Sequence, residues 1–490
     1  MPFATKNQLQ HWVLYPAIAL LGAVVYSSGI SNALLADDWP VIARNLGLRL
    51  ADIPHLLMST HAGWYRPLFD LLLAGCYQLL GLQALGYHIV ALGLYASTTL
   101  LAGVAAEALT GERRCGLLAA LLFSLLGVHA EPVLWVAASN ELLAGLFVLL
   151  SLIGYIRFRT ASRPGGYYAL AAIGYLLALM AKETAVFLPL ALLWYDICRL
   201  YRSALRLTLR KLLPVLPFLL LMAAYTVFRA LTGSPYPADV PPARIAVNLL
   251  YYAATLGLAL PDNYGYLSTL PLWRQAPWLP LLTVSASLVG LGLLGWLLRR
   301  TRAQADGAFR RVLAFSGGWC GVALLPVILT ATGRTAFLAS IGVAWLGALV
   351  VVAGWRRSRG VSRVYIRLVT GALVLLLAAN LTVTLYRCYW WRQAGRTMTS
   401  VLLDLQRRQS SLPPGQAVCL LGLPDYLHYA YTFRNAFPAL SELLYPRRAL
   451  HVTLAEEDRA VGTGIPLGCE AALVLNYLNG KLVSAGSVPD

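Results

Sequence analysis

The chain has 490 residues, of which 59% are hydrophobic and only 12% charged, against roughly 25% charged residues in an ordinary soluble domain. Mean hydropathy is +0.65; a soluble fold cannot bury that much apolar surface, which excludes a cytosolic enzyme of one or two packed domains. The 39 Lys and Arg against 21 Asp and Glu give a net charge of +18, but the basic residues stand in short clusters between long apolar runs. That is the pattern of a polytopic membrane protein, not of a nucleic-acid binder.

A helix needs about 20 apolar residues to cross about 30 Å of hydrocarbon, and these runs lack the period-two alternation of a barrel strand. The runs predict eleven spans, near 12–30, 85–109, 115–128, 139–156, 167–181, 184–198, 212–231, 278–298, 312–329, 336–355 and 368–386. The first is too long for a signal peptide and no small-residue cleavage site follows it, so it is expected to be retained. Longer outer loops are expected at about 31–84 and 232–277. Alternate loops carry most of the basic residues: Lys6, then Arg113 and Arg114, Arg157 to Arg163, Arg199 to Lys211, Arg299 to Arg311, and Arg356 to Arg367. This asymmetry sets the N-terminus in the cytoplasm, and an odd number of spans sets the C-terminus outside.

Residues 387–490 differ in kind. "AVCLLGLP" (417–424) and "AALVLNYLNGKLVSA" (471–485) read as strands, the latter as a hairpin around Asn479-Gly480. The expectation is therefore a mainly α membrane protein: a helical bundle over 1–386, then a small α/β domain outside the membrane over 387–490. Cys419 and Cys469 both fall in that outer region, where a disulfide is permitted. No Cys/His cluster has metal-ligand spacing and no Gly-rich phosphate loop is present, which excludes transport driven directly by ATP on this chain.

The informative residues are ionisable groups at the outer ends of the spans, where topology does not require them. "NALLADDWPVIARN" (32–45) sets Asp37 and Asp38 just after the first span. An adjacent, partly desolvated carboxylate pair suits a general base with an orienting neighbour; it equally suits a cap for the helix that follows. "HAGWYRPLFDLLL" (61–73) holds His61, Tyr65 and Arg66, the aromatics there being ordinary interfacial anchors. Further outer hairpins carry His129 and Glu131, Lys182 and Glu183, and Arg334. Each taken alone reads equally as a local ion pair; together they suit a phosphate-bearing ligand and acid–base chemistry.

The order of the strings — the acidic pair, "WYRPL", "GYHIVALGLY", "HAEPV", "AKE", "GRTAFLASIG" — resembles the GT-C superfamily of membrane glycosyltransferases, in particular the protein O-mannosyltransferase and TMTC-like branch. The resemblance covers about residues 30–345. Gly333 stands where an acidic residue often precedes the arginine, the usual Asn after the Tyr-His string is missing, and the tetratricopeptide array of the TMTC branch is replaced by the short outer domain. The resemblance implies a GT-C-type bundle that takes a sugar from a polyprenyl-phosphate carrier and passes it, with inversion, to an acceptor at the outer face. It implies Asp37 as the base, with Asp38 a near-equal candidate. Arg334 and Lys182 would hold the carrier phosphate, with Arg66 beside them. His129 and Glu131 would line the cavity, Glu183 would orient Lys182, and Tyr65 and His61 would flank the substrate. It implies no organic cofactor and leaves a divalent cation (Mg or Ca) open, with Asp37 and Asp38 as the only acidic cluster to hold it. The acceptor is an exported protein, pilin foremost, or a glycan or glycolipid. Arginine far outnumbers lysine, as expected of a GC-rich bacterial genome, so the inner membrane is the expected location. An O-antigen-type ligase or polymerase gives no reason for the acidic pair. A lipid-linked sugar transporter predicts inverted repeats and polar groups at mid-depth, and no internal repeat is evident.

Overall fold

The computed structural model describes residues 6–61, 63–200, 209–233, 241–258, 285, 307–356, 363–409, 417–428, 430–437, 439–444, 451–455, 473–478 and 481–484. α1 (Lys6–Tyr26) enters a loop that carries α2 (Asp38–Ala43) and α3 (Ile53–Met58), followed by α4 (Pro67–Leu80). α5 (Ala84–Thr110) and α6 (Arg113–Ser124) make a hairpin, with Gly111 as left-handed C-cap at φ 73°. α6 gives way through a 3-10 turn to α7 (Ala130–Leu134), at a bend of 55°. α8 (Asn140–Thr160), α9 (Gly165–Ala181), α10 (Leu188–Leu200), the single turn α11 (Leu209–Leu212), α12 (Leu216–Leu231) and α13 (Pro242–Leu258) follow. Then come α14 (Gly307–Leu324), α15 (Phe337–Arg356) and α16 (Arg363–Gln409).

Among the described residues, five helical stretches are long and apolar enough to cross a membrane: Ala84–Thr110, Val136–Thr160, Leu213–Leu231, Arg334–Trp355 and Leu373–Arg408. A sixth is the bent pair Arg113–Ser124 and Gly127–Leu134. The protein is therefore a multi-pass membrane protein. α1, α9, α10 and α14 coincide with further expected spans, and the span expected at 278–298 lies outside the described residues. The bend costs backbone hydrogen bonds that lipid cannot replace, and long-range partners restore them. Gly127 N–H donates to Asn380 Oδ1 at 3.2 Å, the Arg387 guanidinium donates to Gly127 O, and Tyr26 Oη donates to Leu126 O at 2.9 Å.

α16 departs from the expected boundary. Its 47 residues reach about 70 Å at 1.5 Å per residue, so residue 387, expected to begin the outer domain, lies mid-helix. Cys388, Trp391, Ala394, Met398, Val401 and Leu405 are buried at helical spacing. Such an amphipathic stripe contains no continuous apolar run, which is why hydropathy alone ends the span at 386.

After α16, β1 (Ala417–Leu421), β2 (Tyr426–Leu427) and β3 (Ala430–Tyr431) precede α17 (Ala439–Leu444). β4 (His451–Ala455), β5 (Leu473–Leu478) and β6 (Lys481–Ser484) complete a sheet ordered β4-β1-β5-β6. β1 runs parallel to β4 and β5, while β5 and β6 form the antiparallel pair read from the sequence, closing at Leu478↔Lys481. The sheet is tied to α16 through Leu482, whose N–H donates to Asp404 Oδ2 at 3.1 Å and whose carbonyl accepts from Arg408 at 2.6 Å. Cys419 is disulfide-bonded; Cys469 lies outside the described residues.

α8 and α9 pack through glycines. A Cβ on Gly174 would sit 2.9 Å from the Ser151 backbone nitrogen, and one on Gly154 would sit 2.9 Å from Tyr167 O. These are backbone-to-backbone approaches that only glycine permits. Gly174→Ala is expected to cost about 2 kcal/mol by overpacking and to lower the melting temperature in detergent. Gly93→Ala, where an added Cβ meets nothing within 4 Å, is expected to leave it unchanged or raise it.

Candidate functional site

The first loop is fixed by its second carboxylate. Asp38 is 1% exposed; its Oδ2 accepts the Leu35 N–H at 2.8 Å and its Oδ1 the Ala137 N–H at 2.7 Å. Trp135 Nε1 donates to Leu35 O at 3.4 Å, so the loop is held against the turn between α7 and α8. Burial pushes the Asp38 carboxyl up to about 8, against the pull of those two donors. Asp37 is only half-buried. It occupies the N-cap position of α2, but its side chain makes no capping bond. Its Oδ1 instead accepts from Asn435 Nδ2 at 2.7 Å. The two adjacent carboxylates thus take different parts: one is a buried staple, the other faces outward.

The segment after α16 covers this loop. Ala36 N–H donates to Thr432 O at 2.9 Å, and the Tyr431 ring lies 4.5 Å from that of Trp135. Ala36, His428 and Asn435, at φ 46°, 55° and 57°, are the described non-glycine residues with positive φ. All three belong to this covering contact or its support, His428 lying 3.6 Å ring to ring from Trp390. Backbone strain gathered in one place marks a position that the surrounding structure over-determines.

The three expected cations are each paired with a glutamate. Arg334 Nη1 lies 2.5 Å from Glu131 Oε1, its backbone N–H donates to Glu131 Oε2 at 3.0 Å, and its guanidinium sits 5.1 Å over the Trp135 ring. Arg66 grips Glu183 with two bonds, of 3.0 and 2.8 Å, and lies over Trp64. Lys182 Nζ meets Glu141 at 2.8 Å and Asn140 at 2.9 Å. The charges of Glu141, Arg66, Glu183 and Arg334 all act on Lys182, so the pairs form one cluster. Burial pushes Glu183 up, but the Arg66 guanidinium overrides this and holds the carboxyl at about 2. Glu183, expected beside Lys182 as its orienting partner, is thus the partner of Arg66.

His129, expected to line a cavity, is instead a core residue. It is fully buried, with Nδ1 3.1 Å from Tyr95 Oη and Nε2 2.8 Å from Ser340 Oγ, among Phe123 and Phe337. A flat ring with two nitrogens satisfies two helices at once, and sequence spacing does not reveal which. Tyr65 donates to Leu57 O at 3.0 Å and packs on Tyr225 and Phe228. His61 pairs through its backbone with Trp64 and is exposed. Sequence reasoning missed Glu141, Asn140 and Asn435. The first two stand in "SNELL" at the start of a span, where an intramembrane carboxylate was itself the signal. It also missed Asp70, bonded by the Arg44 guanidinium and by Asn45 at 3.2 Å.

Among the described residues no three His, Cys, Asp or Glu side chains converge to hold a metal, and both Asp38 oxygens are committed to backbone N–H groups.

No protein-family model matches the chain. Among curated proteins it is 27% identical over 212 residues to protein O-mannosyl-transferase TMTC2 of Mus musculus, covering 40% of this chain and 25% of that one. It is 31% identical over 170 residues to protein O-mannosyl-transferase Tmtc1 of Drosophila melanogaster, covering 35% and 18%. The matches span about a quarter or less of the length of these curated relatives. They bear out the likeness to the TMTC branch of GT-C enzymes read from the motif order. Among solved structures, ArnT from Cupriavidus metallidurans bound to undecaprenyl phosphate superposes with a TM-score of 0.43 at 15% identity, over 92% of this chain and 90% of that one. AglB from Archaeoglobus fulgidus, in complex with an inhibitory peptide and a dolichol-phosphate, gives 0.48 at 10%, over 89% and 64%. Scores this low do not establish a shared fold.

The Arg66–Glu183 pair carries a pH signature. Because the folded-state value of Glu183 lies below its ordinary 4.5, the stability it contributes is full above that value and fades as the pH falls toward 2. Arg66→Met strands a buried carboxylate and is expected to cost about 3 kcal/mol at neutral pH. In melting curves taken in detergent, the deficit relative to wild type narrows as the medium is acidified below 4.5.

Proposed function

We propose that this protein is an integral membrane glycosyltransferase of the GT-C kind, which passes a sugar from a polyprenyl-phosphate carrier to a hydroxyl of an exported protein, with Asp37 as general base. One observation carries the reading. The half-buried Asp37 is set by the Asp38 staple in a loop held against Trp135, the ring over which the Arg334 guanidinium sits.

The chemistry follows from the groups present. Asp37 takes the proton of the acceptor hydroxyl, whose oxygen then attacks the anomeric carbon. The bond from that carbon to the carrier phosphate breaks, and the electron pair leaves on the phosphate oxygen. Asn435 donates to Asp37 Oδ1; its Oδ2 accepts no hydrogen bond among the described residues and supplies the basic lone pair. Negative charge grows on the leaving phosphate, so donors aimed there are worth more in the transition state than in the ground state. An arginine offers five N–H donors in a planar fork, so Arg334 can hold Glu131 and still donate to a phosphate. Lys182, buried between Glu141 and Asn140, supplies charge and keeps the cluster together. The carrier's tail would lie between helices, with the exposed apolar side chains of the bundle facing membrane lipid.

The covering segment exposes Tyr426 and meets Asp37 through Asn435, so the outer region has a part in acceptor binding. The basic turns set the Asp37 end of the bundle outside a bacterial inner membrane, with residues after α16 in the periplasm. An exported protein, with pilin as one instance, is the acceptor class this placement favours over a glycan.

Purified protein supplied with labelled polyprenyl-phosphate mannose, a panel of other polyprenyl-phosphate sugars, and exported-protein acceptors tests the reading. Asp37→Asn is expected to lower transfer by at least about a hundredfold while the protein stays folded. Asp38→Asn disturbs the staple and is expected to lower the melting temperature as well as the rate. Arg334→Ala weakens donor engagement and raises the KM for donor. Transfer undiminished in Asp37→Asn puts the base elsewhere, and no transfer from any donor rejects the enzyme.

A further inference from the structure

One buried cation has no place among the three pairs. α12 turns a single face inward, with Phe218, Tyr225 and Arg229 buried at helical spacing, while Leu220, Val227 and Leu231 are exposed on the other side. Arg229 is 8% exposed and Tyr225 9%. Among the described residues, neither Arg229 Nη1 nor Tyr225 Oη has a hydrogen-bond partner. The two stand four residues apart and are therefore neighbours on one helix face. The charges of Glu183, Arg229 and Arg66 all act on the Tyr225 hydroxyl, and the Tyr225 ring lies 6.1 Å from that of Tyr65, next in sequence to Arg66.

A guanidinium near a membrane boundary ordinarily snorkels, with its stem in lipid and its head in water. Arg229 is only 8% exposed, and its Nη1 is enclosed by the bundle. A buried guanidinium nitrogen without a hydrogen-bond partner is costly to the fold, and an intramembrane ionisable residue facing the bundle marks a ligand path. A phosphate supplies what this pair lacks: negative charge for the guanidinium and an acceptor oxygen for the phenol.

We infer that Arg229 and Tyr225, beside the Arg66–Glu183 pair, form a second anion station, which takes the phosphate of a lipid. The identification of that lipid as the polyprenyl-phosphate carrier rests on the glycosyltransferase reading. The alternative source of the same chemistry is an anionic membrane phospholipid. Arg229 holds the phosphate end as a fixed charge, and Tyr225 donates one bond to it. Arg334, across the cluster, is left to meet the reacting side.

Melting temperatures of the full chain in detergent, with and without undecaprenyl phosphate or phosphatidylglycerol, test this directly. With no lipid added, Arg229→Met removes a buried charge that has no ion pair among the described residues and is expected to melt at or above the wild-type temperature, which a merely structural arginine would not allow. Undecaprenyl phosphate is expected to raise the wild-type melting temperature and to bind Arg229→Met at least about tenfold more weakly, the loss for a charge-assisted bond. Tyr225→Phe, which keeps the ring, is expected to bind it a few-fold more weakly. Phosphatidylglycerol is expected to affect wild type and both variants alike. The station is overturned if Arg229→Met binds undecaprenyl phosphate as tightly as wild type, even with the donor reading intact. It is overturned equally if Arg229→Met melts lower without lipid while Tyr225→Phe binds normally. Stabilisation of wild type by phosphatidylglycerol alone, lost in Arg229→Met, rejects the carrier as occupant, while undiminished sugar transfer in that variant would leave the glycosyltransferase reading standing.

Discussion

The buried carboxylate of Asp38 is the constraint on which the outer end of the molecule depends. It ties the loop after α1 to the turn after α7 by accepting two backbone N–H groups, that of Leu35 within the loop and that of Ala137 across the chain. Those bonds fix the backbone beside its neighbour Asp37, whose side chain meets Asn435 instead. A carboxylate that anchors cannot also exchange protons freely with a substrate, and one that exchanges protons needs an anchored backbone. In the proposed mechanism the adjacent pair divides that labour.

The ion pairs add a second constraint. Arg66–Glu183, Lys182–Glu141 and Arg334–Glu131 join α4, α7, α8 and the turns before α10 and α15. Each is largely buried, where removal of one partner costs more than the pair contributes. Clusters of this kind are retained for what they position. In the proposed reaction Arg334 also provides donors for a leaving phosphate, and the proposed station at Arg229 lies along α12.

Much of the helical pattern was legible because hydrocarbon demands continuous apolar runs. α5, α8, α12 and α15 fall where hydropathy sets them, and the β5–β6 pairing follows from alternation and a turn signal. α16 beyond residue 386 was not legible as helix, since its buried stripe of Cys388, Trp391, Met398 and Leu405 alternates with polar residues. The candidate site was legible as residue types in order but not as partners. Glu183 follows Lys182 in sequence yet bonds Arg66, because a 3-10 turn rotates consecutive side chains to different neighbours. Asp37 and Asp38 differ by the partners they meet, the Asn435 side chain about four hundred positions away and the Ala137 N–H about a hundred away. No local pattern carries that information.

The most direct measurement is a cryo-electron microscopy map of the full chain with a polyprenyl-phosphate sugar bound. A glycosyltransferase of this design predicts phosphate density against Arg334 or Arg229, with the sugar's anomeric carbon within reach of an acceptor oxygen held at Asp37. Phosphate density at the opposite end of the helices, among the basic turns near Arg159 and Arg199, would contradict it.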